Sequence, residues 1–211
     1  MKLLNVPVAA AIVGLAGSVM LAQAPAQTPS SKTPAAPAAQ TTPPKTPAAG
    51  APARAAHGAA HAVIKGEGIT GTADFVERAQ GTGSLVEITV TASGLKPGMH
   101  GVHLHAVGKC EPDFTAAGGH FDPGPSSNPD PDANHPFHMG DIPNLQVGAN
   151  GRGTMKIVTS RVTLSDGPLS LFDADGSAII IHGNPDQGIT GEPKSGVSGG
   201  PRVACGVIEK K

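Results

Sequence analysis

The stretch Gly98-Met99-His100-Gly101-Val102-His103-Leu104-His105 alternates, from Gly101 onward, between two kinds of side chain. A period of two belongs to a β-strand, where successive side chains point to opposite faces. Val102 and Leu104 therefore share one face, and His103 and His105 share the other. Ser84-Leu85-Val86-Glu87-Ile88-Thr89-Val90-Thr91 shows the same alternation, and residues 155–159 and 203–208 behave similarly. Turn signals lie between these runs: Gly81-Thr82-Gly83, Lys96-Pro97-Gly98, Asn150-Gly151, Asp166-Gly167-Pro168 and Asp175-Gly176. No long stretch follows a helical period. Short strands at this spacing predict an all-β sandwich or barrel. Two irregular segments, roughly residues 108–144 and 183–201, interrupt the pattern. Loops of that length usually carry function, and the first is rich in histidine and carboxylate.

Composition narrows the class further. The chain of 211 residues has no Trp, no Tyr and 5 Phe, so its core must be built from Val, Ile, Leu and Ala. The formal net charge is −1, and no basic stripe of the kind that binds nucleic acid is present. Met1-Lys2 followed by the mostly apolar Leu3 to Leu21 has the shape of an export signal. Residues 1–24 are therefore expected to be a signal peptide. Ala22-Gln23-Ala24 and Ala24-Pro25-Ala26 are equal cleavage candidates, and an uncleaved anchor is the alternative. Residues 25–61 are almost all Ala, Pro, Thr, Ser and Gln. Such a stretch buries too little apolar surface to offset its ordering entropy, which makes it a linker. His57 and His61 at its end read as solvated linker histidines. The folded domain is expected over residues 62–211, where all 16 acidic residues of the chain lie. Export, to a periplasm or the cell exterior, favours a disulfide between the only 2 cysteines, Cys110 and Cys205.

The histidines are the chemical signal. Beyond His100, His103 and His105 come Gly119-His120-Phe121-Asp122-Pro123, His135-Pro136-Phe137-His138-Met139-Gly140-Asp141, and His182 after the apolar Ala178-Ile179-Ile180-Ile181. Neutral imidazole is the commonest metal ligand. His103 and His105, two apart on one strand face, suit two ligands of one metal. A set of imidazoles favours Cu(II). A nitrogen-rich loop that also offers a carboxylate, as His138 and Asp141 do, suits zinc.

Five ordered motifs then carry a resemblance. They are Gly98 to His105, Ala117-Gly118-Gly119-His120-Phe121-Asp122-Pro123, His138-Met139-Gly140-Asp141-Ile142-Pro143-Asn144-Leu145, Ile181-His182-Gly183-Asn184-Pro185-Asp186, and Pro201-Arg202-Val203-Ala204-Cys205-Gly206-Val207-Ile208. Together they resemble the copper–zinc superoxide dismutases, of the bacterial secreted type, across nearly all of residues 62–211. The resemblance implies a Greek-key β-sandwich or flattened barrel of about eight strands with two long functional loops. It implies copper held by His103, His105, His120 and His182, and zinc held by His120, His138 and Asp141. His100 would brace the copper strand, and Asp186 would link a copper histidine to a zinc histidine. Cys110 and Cys205 would form the intrasubunit disulfide. Arg202 would guide the superoxide anion, with Lys194 adding steering. In the family's usual pattern another zinc histidine lies about eight residues after the bridging one, and that position here is Asn128. His135 is the expected replacement, with Asp130 or Asp132 as alternatives. The implied activity is disproportionation of superoxide, against the rival of a non-catalytic copper carrier. No nucleic-acid partner and no stable membrane insertion after processing are expected, and the protein would be a monomer or homodimer.

Overall fold

The computed structural model describes residues 56–124 and 130–211, so the signal and most of the linker expected from the sequence lie outside the described residues, as does Asn128. Nine strands form among the described residues: β1 (Ala56–Gly66), β2 (Ile69–Gln80), β3 (Gly83–Ser93), β4 (Gly98–His105), β5 (Asp141–Val147), β6 (Arg152–Thr159), β7 (Ala178–His182), β8 (Arg202–Val207) and β9 (Glu209–Lys210). One short 3-10 helix, Phe114–Ala117, is the sole helical element among the described residues. None of the described residues forms a helix long and apolar enough to cross a membrane.

The sheet order is β2-β3-β6-β5-β4-β7-β8-β1-β9, and β1 also pairs with β2. That last pairing closes eight antiparallel strands into a barrel, with β9 as an extra strand on β1. Closure removes the exposed sheet edges that would otherwise invite pairing with another chain. Connections skip neighbours in Greek-key fashion: β3 pairs with β6, and β4 pairs with β5 and β7. The fold is the one expected.

The sheet takes in residues assigned to the linker. β1 begins at Ala56 and runs antiparallel to β2 from Ala56↔Arg78 to Gly66↔Ile69. His57 is exposed on this strand, and His61 bonds through Nδ1 to Asp74 at 3.0 Å. The alanine-rich run looked like linker because small side chains give little pattern. In place, Ala60 and Ala62 are buried in the same core cluster as Ile64.

The alternation read from the sequence sorts the core. Val86, Ile88 and Val90 on β3 are fully buried, as are Val102 and Leu104 on β4 and Phe75 on β2. β7 is different, because all five of its residues are buried. Ile179 and Ile181 face the barrel interior. Ile180 and Ala178 belong to a second apolar cluster with Ala117 and Cys205, packed against Phe114 and Cys110. The first long loop thus covers the outer face of β4, β7 and β8. His103 is paired with Ile180 across the β4–β7 ladder and lies on that same covered outer face. The β4 histidines are therefore held outside the barrel but beneath a loop.

Glu77 breaks the polarity rule. Its side chain sits at 0% exposure on β2. The carboxylate accepts from Ser84 Oγ, from Leu164 N (3.1 Å), and from Ser165 N (2.7 Å) and Ser165 Oγ (2.9 Å). Burial alone would raise its pKa; the four donors outweigh it and hold the group below its ordinary value of about 4.5. A depressed carboxyl stabilises the fold above its unfolded pKa, and that contribution fades as pH falls through the folded value. Glu77→Gln puts an amide NH2 against backbone N–H donors, with an expected loss of roughly 2–3 kcal/mol at pH 7. Denaturant midpoints measured from pH 7 to pH 3 should converge for the parent and the variant at the acid end. A gap that stays constant would exclude an ionised Glu77 as its source.

Candidate metal centre

β4 places His103 and His105 on one face, and the other histidines are brought to them by chain segments far away in sequence. His120 enters through an isolated bridge to His105, just after the 3-10 helix. His182 ends β7, paired with Arg202 after a register shift at Ile181/His182. Ring centroids lie 4.0 Å apart for His103–His120, 4.8 Å for His103–His182 and 5.0 Å for His105–His120. One ligand atom from each of His103, His105, His120 and His182 lies within 4.8 Å of the others, and all four residues are buried.

The hydrogen bonds leave a specific nitrogen of each ring free. His105 Nδ1 donates to Gly118 O and His182 Nδ1 donates to Gly200 O, each at 3.0 Å. His103 Nε2 bonds Asp186 Oδ2 at 3.0 Å, and His120 Nδ1 bonds Asp141 Oδ1 at 2.6 Å. The opposite atoms, His103 Nδ1 and the Nε2 atoms of His105, His120 and His182, are buried with no hydrogen-bond partner. Buried polar atoms seldom lack partners, and four converging lone pairs are what a metal ion satisfies. The residues fit copper. Burial first, then the neighbouring imidazoles, push the pKa of His120 and His182 down to about 3. His105 is driven well down by burial, with the charge of His120 and then of Arg202 adding to it. Depressed rings stay neutral and so keep the ligating lone pair.

A second group, His103, His120, His135 and Asp141, also has its ligand atoms within 4.8 Å of one another. His135 is the loop histidine brought here. Its Nδ1 lies 3.3 Å from Asp141 Oδ1, and its Nε2 lies 2.6 Å from Asp186 Oδ1. His138 Nδ1 is 3.1 Å from Asp141 Oδ2, and its ring centroid is 5.2 Å from that of His120. Asp132, the alternative to His135, turns instead to Ser198. Burial works against a charge on His135, but the nearby Asp141 carboxylate and the hydrogen bond to Asp186 reverse this and raise its pKa to about 9. Those carboxylates favour a positive charge at this point, which a divalent cation satisfies as a proton does. Asp141 itself is held well below the usual carboxylate range. Burial opposes this, but His120, His135 and His138 overcome it. A nitrogen-rich set with one carboxylate fits zinc.

Supporting contacts surround both groups. Gly140 lets the ligand loop lie against β4: a Cβ there would sit 2.2 Å from Leu104 O. Gly140 O accepts from Leu104 N at 3.0 Å. Asp186 bonds His103 with one oxygen and His135 with the other. His100 bonds His182 O (2.7 Å) and Lys96 O (2.9 Å), joining β4 to the end of β7 without facing the metal group. Arg202 donates to Phe114 O at 2.7 Å and to Gly118 O at 2.6 Å, the carbonyl that also holds His105. Cys110 and Cys205 form a disulfide with Cα atoms 5.8 Å apart, fastening the covering loop to β8. Lys194 is exposed, at φ 62°.

Two contributors went unassigned in the sequence, and Asp132, offered there as an alternative zinc ligand, takes a different part. Asn144 grips the Asp186 backbone with paired 2.8 Å bonds. Arg161 reaches the carbonyls of Asp141 and Pro136 at 3.4 and 3.5 Å. Asp132 lies buried between the two long loops. Asn144 stood inside a quoted motif, but nothing local tells a gripping amide from a solvated one.

Residues 69–208 match the model of the copper/zinc superoxide dismutase (SODC) family. The chain belongs to this family. Among curated relatives, a protein named superoxide dismutase [Cu-Zn] 2 from Brassica juncea is 40% identical over 146 residues, covering 67% of this chain and 90% of the relative. A superoxide dismutase [Cu-Zn] from Deinococcus radiodurans is 40% identical over 152 residues, covering 67% of this chain and 78% of the relative. Among solved structures, one titled as a crystal structure analysis of the clock protein EA4 superposes with a TM-score of 0.60 at 28% identity, covering 72% of this chain and 94% of the other. As a copper/zinc superoxide dismutase the chain is an oxidoreductase that uses copper and zinc and acts on superoxide. β1 precedes the matched region entirely.

Proposed function

We propose that this dismutase converts two superoxide ions and two protons into dioxygen and hydrogen peroxide at a copper site made by His103, His105, His120 and His182. The observation that carries the reading is the convergence of four buried imidazole nitrogens without partners. Copper, when bound, supplies one-electron oxidation and reduction through its Cu(II) and Cu(I) states. His120 presents Nε2 to the copper group and Nδ1 to Asp141, so it is the ring that joins the two metal positions. Its Nε2 holds the proton passed to the departing product. His135, His138 and Asp141, with His120, would hold zinc, which would supply a fixed positive charge and no redox chemistry of its own. Asp186 sets the rings of His103 and His135 from behind. Arg202 is half-buried by the 3-10 helix with two carbonyls fixing its plane, and its permanent charge draws the anion inward.

Metal analysis of the purified protein, paired with superoxide consumption, tests this. One copper and one zinc per chain with rapid consumption is expected. Copper without consumption would mean a carrier, and copper without zinc would reduce the second site to scaffold. Within the same experiment Arg202→Ile should retain copper and lower the second-order rate by about 10–10²-fold, with a weaker salt dependence. An unchanged rate would remove Arg202 from guidance.

Residues 1–24 and 25–61 are assigned by this reading to an export signal and a tether, of which the first strand takes the last few residues. The disulfide supports an oxidising compartment outside the cytoplasm.

A further inference from the structure

We propose that Asp132 is a positioning residue for the metal centre, acting on His135 and His103 through Ser198 and Asp186. The inference rests on the metal-site reading above. Asp132 is 3% exposed and holds no metal-group atom. Its Oδ1 accepts from Ser198 N (3.0 Å) and Ser198 Oγ (2.7 Å), and its Oδ2 accepts from Gly196 N at 2.7 Å. Its carbonyl accepts from Gly191 N at 2.9 Å. One residue of the first long loop therefore grips the second long loop at both ends of residues 191–198.

The grip continues to the ligands. Ser198 forms an antiparallel bridge with Asp186, and Gln187 N donates to Val197 O at 2.9 Å. The Asp186 carboxylate meets His103 Nε2 and His135 Nε2. Thr190 Oγ1 donates to His135 O at 2.6 Å, and the chain then runs back from His135 to Asp132. The result is a closed circuit: Asp132, Ser198, Asp186, His135 and the backbone between. A circuit matters here because His135 sits on an irregular loop, after the left-handed Asn134 (φ 59°), with no strand to fix it. In a strand such as β4 the ladder aims a histidine; in this loop only side-chain and turn hydrogen bonds can. An ionised carboxylate serves because all three donors point at it, and a neutral amide cannot accept from all of them.

Zinc affinity by chelator competition, and the visible spectrum of protein carrying Co(II) in the zinc position, test the proposal on the full chain. Asp132→Asn should raise the zinc dissociation constant roughly 10–100-fold, as loss of an outer ligand support does, and should shift the Co(II) bands. Ser198→Ala keeps the backbone donor and removes one of three, so a smaller rise, roughly threefold, is expected in the same direction; this variant also serves where Asp132→Asn fails to fold. The double variant should be no worse than Asp132→Asn alone. Zinc affinity within about twofold of the parent and superimposable Co(II) spectra in the folded variants, even with a lower melting temperature, would overturn the proposal. A parent protein that takes up no zinc would instead overturn the metal-site reading, before any variant is compared.

Discussion

His120→Ala is expected to lower superoxide turnover by at least ~10³-fold while the protein stays folded and retains some copper. His120 and His103 are the two side chains common to both metal groups, but it is His120 whose bonded nitrogen meets Asp141, the carboxylate of the second group, while its other nitrogen is left free. Alanine deletes both atoms at once. The copper group keeps three imidazoles, so binding weakens without vanishing. The other group loses a ligand, and Asp141 loses its 2.6 Å partner, so zinc affinity should fall as well. No neighbouring ring takes its place between the two groups: His103, His105 and His182 tie their bonded nitrogens to Asp186, Gly118 O and Gly200 O, and none of them bonds Asp141. Stopped-flow decay of superoxide, with metal content measured on the same sample, is the check. Turnover within about tenfold of the parent would show that the proton reaches the product without His120.

Replacing both cysteines, Cys110→Ser with Cys205→Ser, is expected to destabilise the metal-free protein by about 2–5 kcal/mol. The bridge closes a long chain segment, with a sequence separation of 95. For a domain of this size that corresponds to a fall in melting temperature on the order of 10 °C. The consequence for the site is larger than the stability change suggests. Cys110 belongs to the loop that presents Gly118 O to both His105 and Arg202, and Cys205 is buried on β8 beside Ile180. Freed from β8, the loop no longer fixes the His105 tautomer or the Arg202 plane. Calorimetry of the metal-free variant measures the effect. A shift under about 3 °C would mean that the Phe114 and Ala117 packing alone secures the loop.

Much of this was legible along the chain because it depends on neighbours in sequence. The two-residue period of Val102 to His105 marked a strand and put two histidines on one face, as the ladder bears out. The run Ala178 to Ile181 was legible as apolar, but its strand and the two apolar clusters that share it come from the fold. The start of the domain was less legible. Ala56 to His61 carries almost no hydrophobic contrast, and it becomes a strand because β2 offers an open ladder beside it. Glu77 likewise reads as a solvated strand residue until the loop at Leu164 and Ser165 folds over it.

The sequence alone determined the inventory: alternating strands, an aliphatic core, two long loops, two cysteines, and a set of histidines whose motifs mark copper/zinc superoxide dismutases. Only the tertiary structure decided which loop residue joins the second metal group. The family's usual spacing points to Asn128, and His135, Asp130 and Asp132 were all open. Among the described residues His135 is the one brought into the group, with Asp141 and Asp186 beside its two nitrogens, while Asp132 is drawn to Ser198 and Gly196. Asp186 lies 51 residues from His135 along the chain, and Ser198 lies 66 from Asp132. A strand's own geometry aims its side chains, but an irregular loop has no period to read. Its side chains are aimed by whatever the fold brings beside them.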